Sequence, residues 1–449
     1  MLTGGTQDYD VIIVGGGPAG TSAAVHLATR GARVALVERE RFPRAKLCGE
    51  FISPECLAHF ARLGVLDEMT GAGGARVGET IFFARSGRRV GVPSAWFGAE
   101  ATGDVDTAAA AALGLSRAEM DQRLMLRARA LGVEVLEETQ VTGLLFADGG
   151  GRAPVCGVRV ERRGVESELR AGVTIDATGR GRALARRVEG AATSNSVNGA
   201  NGESGANGEN GAEARNGEKA RNAAKVRNGA RGVASPSSKR MPLVAFKAHL
   251  ENVGGDEGVC EIYFYRGGYG GLSRVENGLS NLCFIVAAQD VRARASDAER
   301  VMREIVMSNA RAAETLCGAR VRSEWLAVAL ESFGRRELVP CEGLLTVGDA
   351  ASFIDPFTGS GMLMALESGE LAAACVGRAL PTLRAGGMFA PLAEDYRARY
   401  RERFAARLRV CSWLRRAAFA PRLATEAGIF VLGASERVRR VVARATRHA

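Results

Sequence analysis

Val11-Ile12-Ile13-Val14-Gly15-Gly16-Gly17-Pro18-Ala19-Gly20 is the stretch that decides the fold. A short apolar run meets Gly15, Gly17 and Gly20 in the spacing G-x-G-x-x-G. The run predicts a buried strand. Gly15 permits the tight turn out of it, Gly17 lets backbone approach a pyrophosphate, and Gly20 lets the next helix pack close to the strand. Pro18 stands in the first helical turn, where a missing N–H costs little. The free N–H groups and dipole of that helix end suit phosphate. The spacing implies an adenine dinucleotide.

The surroundings support that reading. An amphipathic stretch, Thr21 to Arg30, stops at Gly31, and a second apolar strand, Arg33 to Val37, ends on Glu38. Glu38 follows Gly20 by 18 residues, close to the ~20 expected of an acid that accepts from ribose hydroxyls.

The chain has 449 residues, 46% hydrophobic and 24% charged, which is a globular composition. No apolar run is long enough to span a bilayer, and no signal peptide is visible before Asp10, so a cytoplasmic protein is expected. The nine cysteines include no C-x-x-C pair, and the four histidines form no ligand cluster. Reduced thiols and no metal site are expected. The net charge of +10 is local. Residues 397–449 carry fourteen arginines against three glutamates, with few aromatics, so no nucleic-acid partner is expected. The tail is either a peripheral membrane contact lying on an anionic surface or a helical face packed on the body.

Residues 191–240 consist largely of Asn, Gly, Ala, Ser, Lys and Arg, and are expected to be a disordered insertion. Elsewhere, Ser53-Pro54-Glu55 opens a helix through Leu63, and Ser116-Arg117-Ala118-Glu119 is a capping box before a helix to Leu131. A hairpin is expected at Thr80–Ala84 and Arg88–Val92, and strands at 133–136, 141–146, 155–160, 173–175, 243–250, 259–265, 281–287 and 344–347. One helix is expected over 297–316, and helices from Gly359 onward with breaks near Gly386, Pro421 and Gly433. The pattern predicts an α/β fold: a Rossmann-like nucleotide domain, an inserted, mostly antiparallel β-sheet substrate domain and a helical C-terminus. The nucleotide domain would comprise 1–75, 105–190 and 335–395, the substrate domain 76–104 and 241–334, and the basic helical region 396–449.

A second glycine motif closes Leu344 to Gly361: Gly348-Asp349 after a strand, then Pro356-x-x-Gly359-Ser360-Gly361 opening a helix. An Asp carboxylate can accept from a chain of hydroxyls, and a helix N-terminus stabilises a ring edge that becomes negative. With Glu38-Arg39, Lys46-Leu47-Cys48-Gly49-Glu50, Ser116-Arg117 and Ala177-Thr178-Gly179, the chain resembles the flavoprotein superfamily typified by para-hydroxybenzoate hydroxylase, and within it the geranylgeranyl reductase family, over nearly all of 9–395. The resemblance implies FAD, with NAD(P)H or another reductant as electron donor. Gly15, Gly17, Pro18, Ala19, Gly20, Glu38, Arg39 and Arg117 would hold the nucleotide end. Gly348 and Asp349 would hold the ribityl chain, and Pro356, Gly359, Ser360 and Gly361 would lie against the ring.

The Lys-x-Cys-Gly block would lie at the substrate side. Cys48 is either a catalytic proton donor or a small packed apolar residue, and Glu50 either an acid near the substrate or a capping carboxylate. Tyr263, Tyr265 and Tyr269 are read as sharing one strand face, lining a hydrophobic small molecule's pocket or packing in the core. Lys247 and His249 are expected to face solvent, and Trp96-Phe97 to cover a pocket. Hydroxylases of the superfamily usually carry Asp-Gly where this chain has Thr178-Gly179, which favours C=C reduction over hydroxylation. The Trp-x-Trp-x-Ile signature of flavin halogenases is absent, which ranks halogenation lower.

Overall fold

The structure is a computed structural model that describes residues 8–97, 111–148, 153–190, 242–330, 333–419 and 422–447. The stretch 191–240 lies outside the described residues. The first strand, Tyr9–Val14, pairs in parallel with Val34–Val37 and with Val165–Asp176. Glu134–Leu136 and Leu344–Thr346 extend the parallel set at its two sides. The 12-residue strand Val165–Asp176 is much longer than the three residues legible as apolar. Its first half pairs antiparallel with Val155–Arg162, which carries Thr139–Phe146 beyond it.

Val11, Ile12 and Ile13 are wholly buried, each side chain contributing about 1.5–3 kcal/mol of burial. The helix Pro18–Ala28 follows, with Pro18 at its start. A Cβ on Gly20 would lie 1.9 Å from the carbonyl oxygen of Gly15, so only glycine lets the helix approach the strand end. The helix Gly361–Arg384 crosses Pro18–Ala28 closely. A Cβ on Gly369 would stand 2.3 Å from the oxygen of Ala19, and Ser22 Oγ donates to Leu366 O at 2.9 Å.

The second sheet has eight strands, mostly antiparallel. The hairpin Glu79–Phe83/Arg89–Pro93 forms one edge, and Glu79–Phe83 joins Val259–Tyr265 in parallel. Gly268–Arg274, Ser280–Ala287 and Leu243–Glu251 continue the sheet. One face packs on the short helices of 288–316 around Phe246, Phe284 and Leu282. The other carries Ala245, Phe264, Tyr269 and Ile285 against Phe353 and Ile429.

Two expectations need correction. The helix expected over 297–316 is two helices, Ala298–Glu304 and Ala310–Leu316. Asn309 interrupts it: its Oδ1 caps the second helix at Arg311 N and Ala312 N, and its Nδ2 donates to the carbonyls of Phe83, Ala84 and Phe264. An Asn side chain that competes for backbone groups ends a helix rather than continuing it. Gly268–Arg274, not among the expected strands, pairs antiparallel with Val259–Tyr265 on one side and Ser280–Ala287 on the other, and a Cβ on Gly268 would meet Ile285 O at 1.9 Å. The break expected near Gly433 is present, at Ser435, which caps Glu436–Ala445. Pro421 lies outside the described residues.

The C-terminal helices Ala390–Ala418, Arg422–Ala434 and Glu436–Ala445 wrap back on the body. Arg403 and Arg407 converge on Glu367, Arg415 on Asp355, and Arg397 on Glu337. Arg447 is 1% exposed and lies 3.6 Å from Glu55. Much of the basic tail is thus a packed strut. No described helix is long and apolar enough to cross a membrane.

Candidate functional site

The glycine turn and the second strand meet at one end of the parallel sheet. Gly15 has φ +109°, and a Cβ there would lie 2.4 Å from Ala177 O, so the turn admits no side chain. Gly17 faces a space whose nearest side-chain atom is Arg117 Nη2, 3.8 Å away. Gly49 and Gly361 likewise have nothing within 4 Å where a Cβ would stand. The three glycines expose bare backbone to unfilled space.

Glu38 Oε2 accepts from Gly16 N at 2.8 Å and lies 3.4 Å from Arg44 Nη2. Arg44 also pairs with Asp121 at 3.1 Å, and Arg117 forks onto Asp121 at 2.9 and 2.7 Å. Arg39 is not brought in: its side chain is 71% exposed and pairs with Glu40. The arginine that reaches Glu38 is Arg44.

Asp349 follows Gly348, whose φ of +59° and close approach to Ala19 Cβ (2.8 Å for an added Cβ) favour glycine. Burial raises the Asp349 carboxyl above its ordinary value against the pull of Arg180, Arg117 and Lys46. Among the described residues its carboxylate accepts no hydrogen bond. Lys46 is pulled down to about 8, by burial first and then by the charges of Arg44, Arg117 and Arg39. A lysine set among three arginines is a site for an anion. Gly359 has φ +62° and ends the turn Pro356–Thr358. Ser360, fully buried, lies with its Oγ 2.8 Å from that of Thr358.

The block Lys46–Glu50 is clamped between this region and the second sheet. Cys48 Sγ lies 4.0 Å from Met362 Sδ, at the start of the helix Gly361–Arg384. Glu50 N approaches Cys48 Sγ at 3.4 Å, and Asn281 Nδ2 donates to Cys48 O at 3.1 Å. Glu50 is wholly buried, with φ +53°, a left-handed conformation uncommon for a non-glycine residue. Its carboxylate accepts from Arg117 N at 2.8 Å, from His249 Nε2 at 2.6 Å and from Lys247 Nζ. Burial pushes the Glu50 carboxyl up, but the His249 hydrogen bond and the charges of Lys247 and His249 outweigh it, holding it below the ordinary carboxylate range.

Lys247 and His249 therefore do not face solvent as expected: Lys247 is 2% exposed, and both point at Glu50. The signal was a lysine inside an apolar run, Leu243 to Leu250. A strand covered on both faces buries alternate residues either way, and a charge there needs a partner. Asn281 carried no such signal.

The three tyrosines do not share a face. Tyr263 and Tyr265 pack with Phe246 and Phe284. Tyr269 lies on the next strand opposite Phe264, packs on the other side and donates to Asp355. A cleft of about 1090 Å³ wraps the strand ends here, lined by Phe264, Tyr265, Phe333, Phe353, Asp355 and Phe419 among others. Of the three tyrosines only Tyr265 lines it, and Glu50 does not. Trp96 and Phe97 lie elsewhere, beneath the guanidinium groups of Arg440 and Arg447.

Residues 8–370 match the FAD-binding domain family. The chain is 29% identical over 182 residues to a flavin-dependent halogenase of Armillaria mellea, covering 40% of this chain and 34% of that protein. It is 30% identical over 175 residues to the digeranylgeranylglycerophospholipid reductase of Methanosarcina mazei, covering 38% of each. The chain thus spans little more than a third of the length of these curated relatives. The solved structure of the flavin-dependent brominase Bmp2 superposes with a TM-score of 0.70 at 19% identity, covering 98% of this chain and 93% of that one. Halogenases are as close as reductases, so neither the sequence nor the fold singles out the geranylgeranyl reductase branch. The chain belongs to the FAD-binding domain family.

Proposed function

We propose that the protein reduces a carbon–carbon double bond of an apolar small molecule, a reading in line with relatives named as reductases. The observation that carries this reading is the clamped Cys48–Glu50 block at the N-terminus of the Gly361–Arg384 helix. FAD is held, in this reading, by groups suited to each of its parts. Glu38 takes the ribose, the Pro18–Ala28 helix end with Arg117 and Lys46 takes the pyrophosphate, the unpartnered Asp349 takes ribityl hydroxyls, and Gly359–Gly361 faces the ring. When bound, the flavin supplies hydride-transfer chemistry.

The chain's own part is a proton and a shape. Reducing a double bond requires a proton at one carbon, and Cys48 is the candidate donor, held by the Glu50 amide and by Asn281. Glu50 is a positioning residue: Lys247 Nζ bridges Glu50 and Lys46 O, which fixes the loop between two rigid elements. The aromatic cleft beside Asp355 takes the substrate's apolar body.

The test is anaerobic turnover of reduced holoprotein with polyprenyl and quinone compounds, read by mass. The reading expects a gain of two hydrogens per reduced bond, and a rate about 100-fold lower in Cys48→Ser at unchanged flavin content. A product formed only in oxygen, carrying oxygen or halogen, sinks it. That second reading follows the halogenase-named relatives, which match this chain as well as the reductase-named ones do. The same assay with oxygen and bromide separates the two.

A further inference from the structure

We propose that the C-terminal helices are a docking surface for an anionic lipid bilayer, placed beside the mouth of the aromatic cleft. The proposal rests on an apolar substrate for that cleft, and it names the surface from which such a substrate is taken. The segment lies beyond the family match, which ends at residue 370.

Exposed apolar side chains are concentrated here. Of the large hydrophobic residues exposed among the described residues, Trp413 (62%), Phe430 (61%), Val431, Val438 and Val441 all belong to this region, against only Leu126, Val165 and Met388 elsewhere. Most monomers scatter such residues singly, and a concentration marks a contact. The patch also adjoins the cleft. Ser412 and Arg416 line it, and Trp413 stands on the same helix face as Arg416. Ile429 lines it and Phe430 is the next residue out.

The surrounding charge selects the occupant. Arg409 and Arg416 flank Trp413 at helical spacing, and Arg437 precedes Val438. Arg85 and Arg266 stand at the cleft rim. All five are exposed, and among the described residues none has an acidic partner. Acids in the tail are few, and Glu426 and Glu436 are already engaged by Ser86 and Arg440. An aromatic ring between guanidinium groups on an amphipathic helix is the pattern of an interfacial anchor: the ring sits at headgroup depth and the guanidinium groups pair with phosphates. No described helix can cross the bilayer, so the region would lie on its surface.

The experiment is co-sedimentation of the FAD-loaded full chain with vesicles of phosphatidylcholine alone or mixed with phosphatidylglycerol. Binding is expected to the mixed vesicles only, and to fall as salt is raised. Trp413→Ser with Phe430→Ser should lower the bound fraction about fivefold or more. Arg409→Glu with Arg437→Glu should remove the preference for phosphatidylglycerol, with flavin content and melting temperature as in the parent protein. Failure to bind mixed vesicles, or equal binding by the Trp413/Phe430 variant, overturns the proposal. So does a concentration-dependent dimer in sedimentation velocity that the same variant abolishes without vesicle binding, which assigns the patch to a second copy. Vesicle binding without any double-bond reduction leaves the surface standing and removes the proposed reaction.

Discussion

Glu50 is a carboxylate shut off from water, so its cost to the fold is set by the donors that reach it. In the sequence it is one acid after a Cys-Gly pair. In the structure it is a wholly buried carboxylate in a left-handed conformation, held by a lysine and a histidine of one strand and by the first backbone amide of the Arg117–Ala130 helix. Breaking one member of a buried pair leaves an uncompensated charge, so Glu50→Gln should cost about 3–5 kcal/mol of unfolding free energy. Glu50→Gln combined with Lys247→Met should recover much of it, which denaturant titration of the double-mutant cycle measures. Asp349 makes the opposite case. Its carboxylate is raised by burial and has no hydrogen-bond donor among the described residues, which suits the ribityl hydroxyls of the proposed reading. Asp349→Ala should lower FAD affinity at least tenfold, read as flavin absorbance per protein after gel filtration. Lys46 adds a pH signature. Its free-state value of about 8 must rise when an anion binds, so FAD affinity should be full below pH 8 and fall above it. Lys46→Met should abolish that decline in a titration of FAD binding against pH.

Among the elements, the glycine turn and the crossing helices depend on distances that no single motif describes. The G-x-G-x-x-G spacing announced Gly15 and Gly20, and both prove to be close approaches. Gly369 carries no motif, yet an added Cβ there meets Ala19 O at 2.3 Å. Gly369→Val should therefore push the two helices apart and cost about 3 kcal/mol or more, seen as a lowered melting temperature or insoluble expression. Gly369→Ser should be milder but still destabilising. The strand Gly268–Arg274 and the helix break at Asn309 were hidden for one shared reason. Glycine and asparagine read locally as loop formers, whereas here neighbouring strands decide what they do.

At the scale of the molecule, two sheets and a basic helical tail are joined by a few buried ion pairs. Glu367 receives Arg403 and Arg407 from the long C-terminal helix, and Glu370 receives His59 and Arg62. The Glu370 carboxyl is driven up by burial but held down to about 2 by the His59 and Arg62 hydrogen bonds and charges. Its folded value is below its unfolded one. Its contribution is thus present above pH ~4.5 and lost as pH falls from there toward 2. Glu367 is also lowered and acts in the same direction. Glu370→Gln should flatten the acid limb of a stability–pH curve and leave the neutral region less affected. A curve unchanged in slope would show that the pair is not linked to folding.

The sequence alone determined the α/β class, the adenine-dinucleotide turn and the two glycine motifs, because these depend on local backbone freedom and on apolar periodicity. It also located the surplus charge in the tail. It did not determine which side chains the site contains. Lys247 and Asn281 reach the Cys48–Glu50 block across 197 and 233 residues of chain, and Arg44 replaces Arg39 beside Glu38. Strand order and sheet face set those meetings. The tail was legible as basic, but only packing divided it into arginines that brace the body and arginines that flank exposed aromatics. Charge and periodicity are written residue by residue, whereas a buried partner is chosen by what the fold brings within reach.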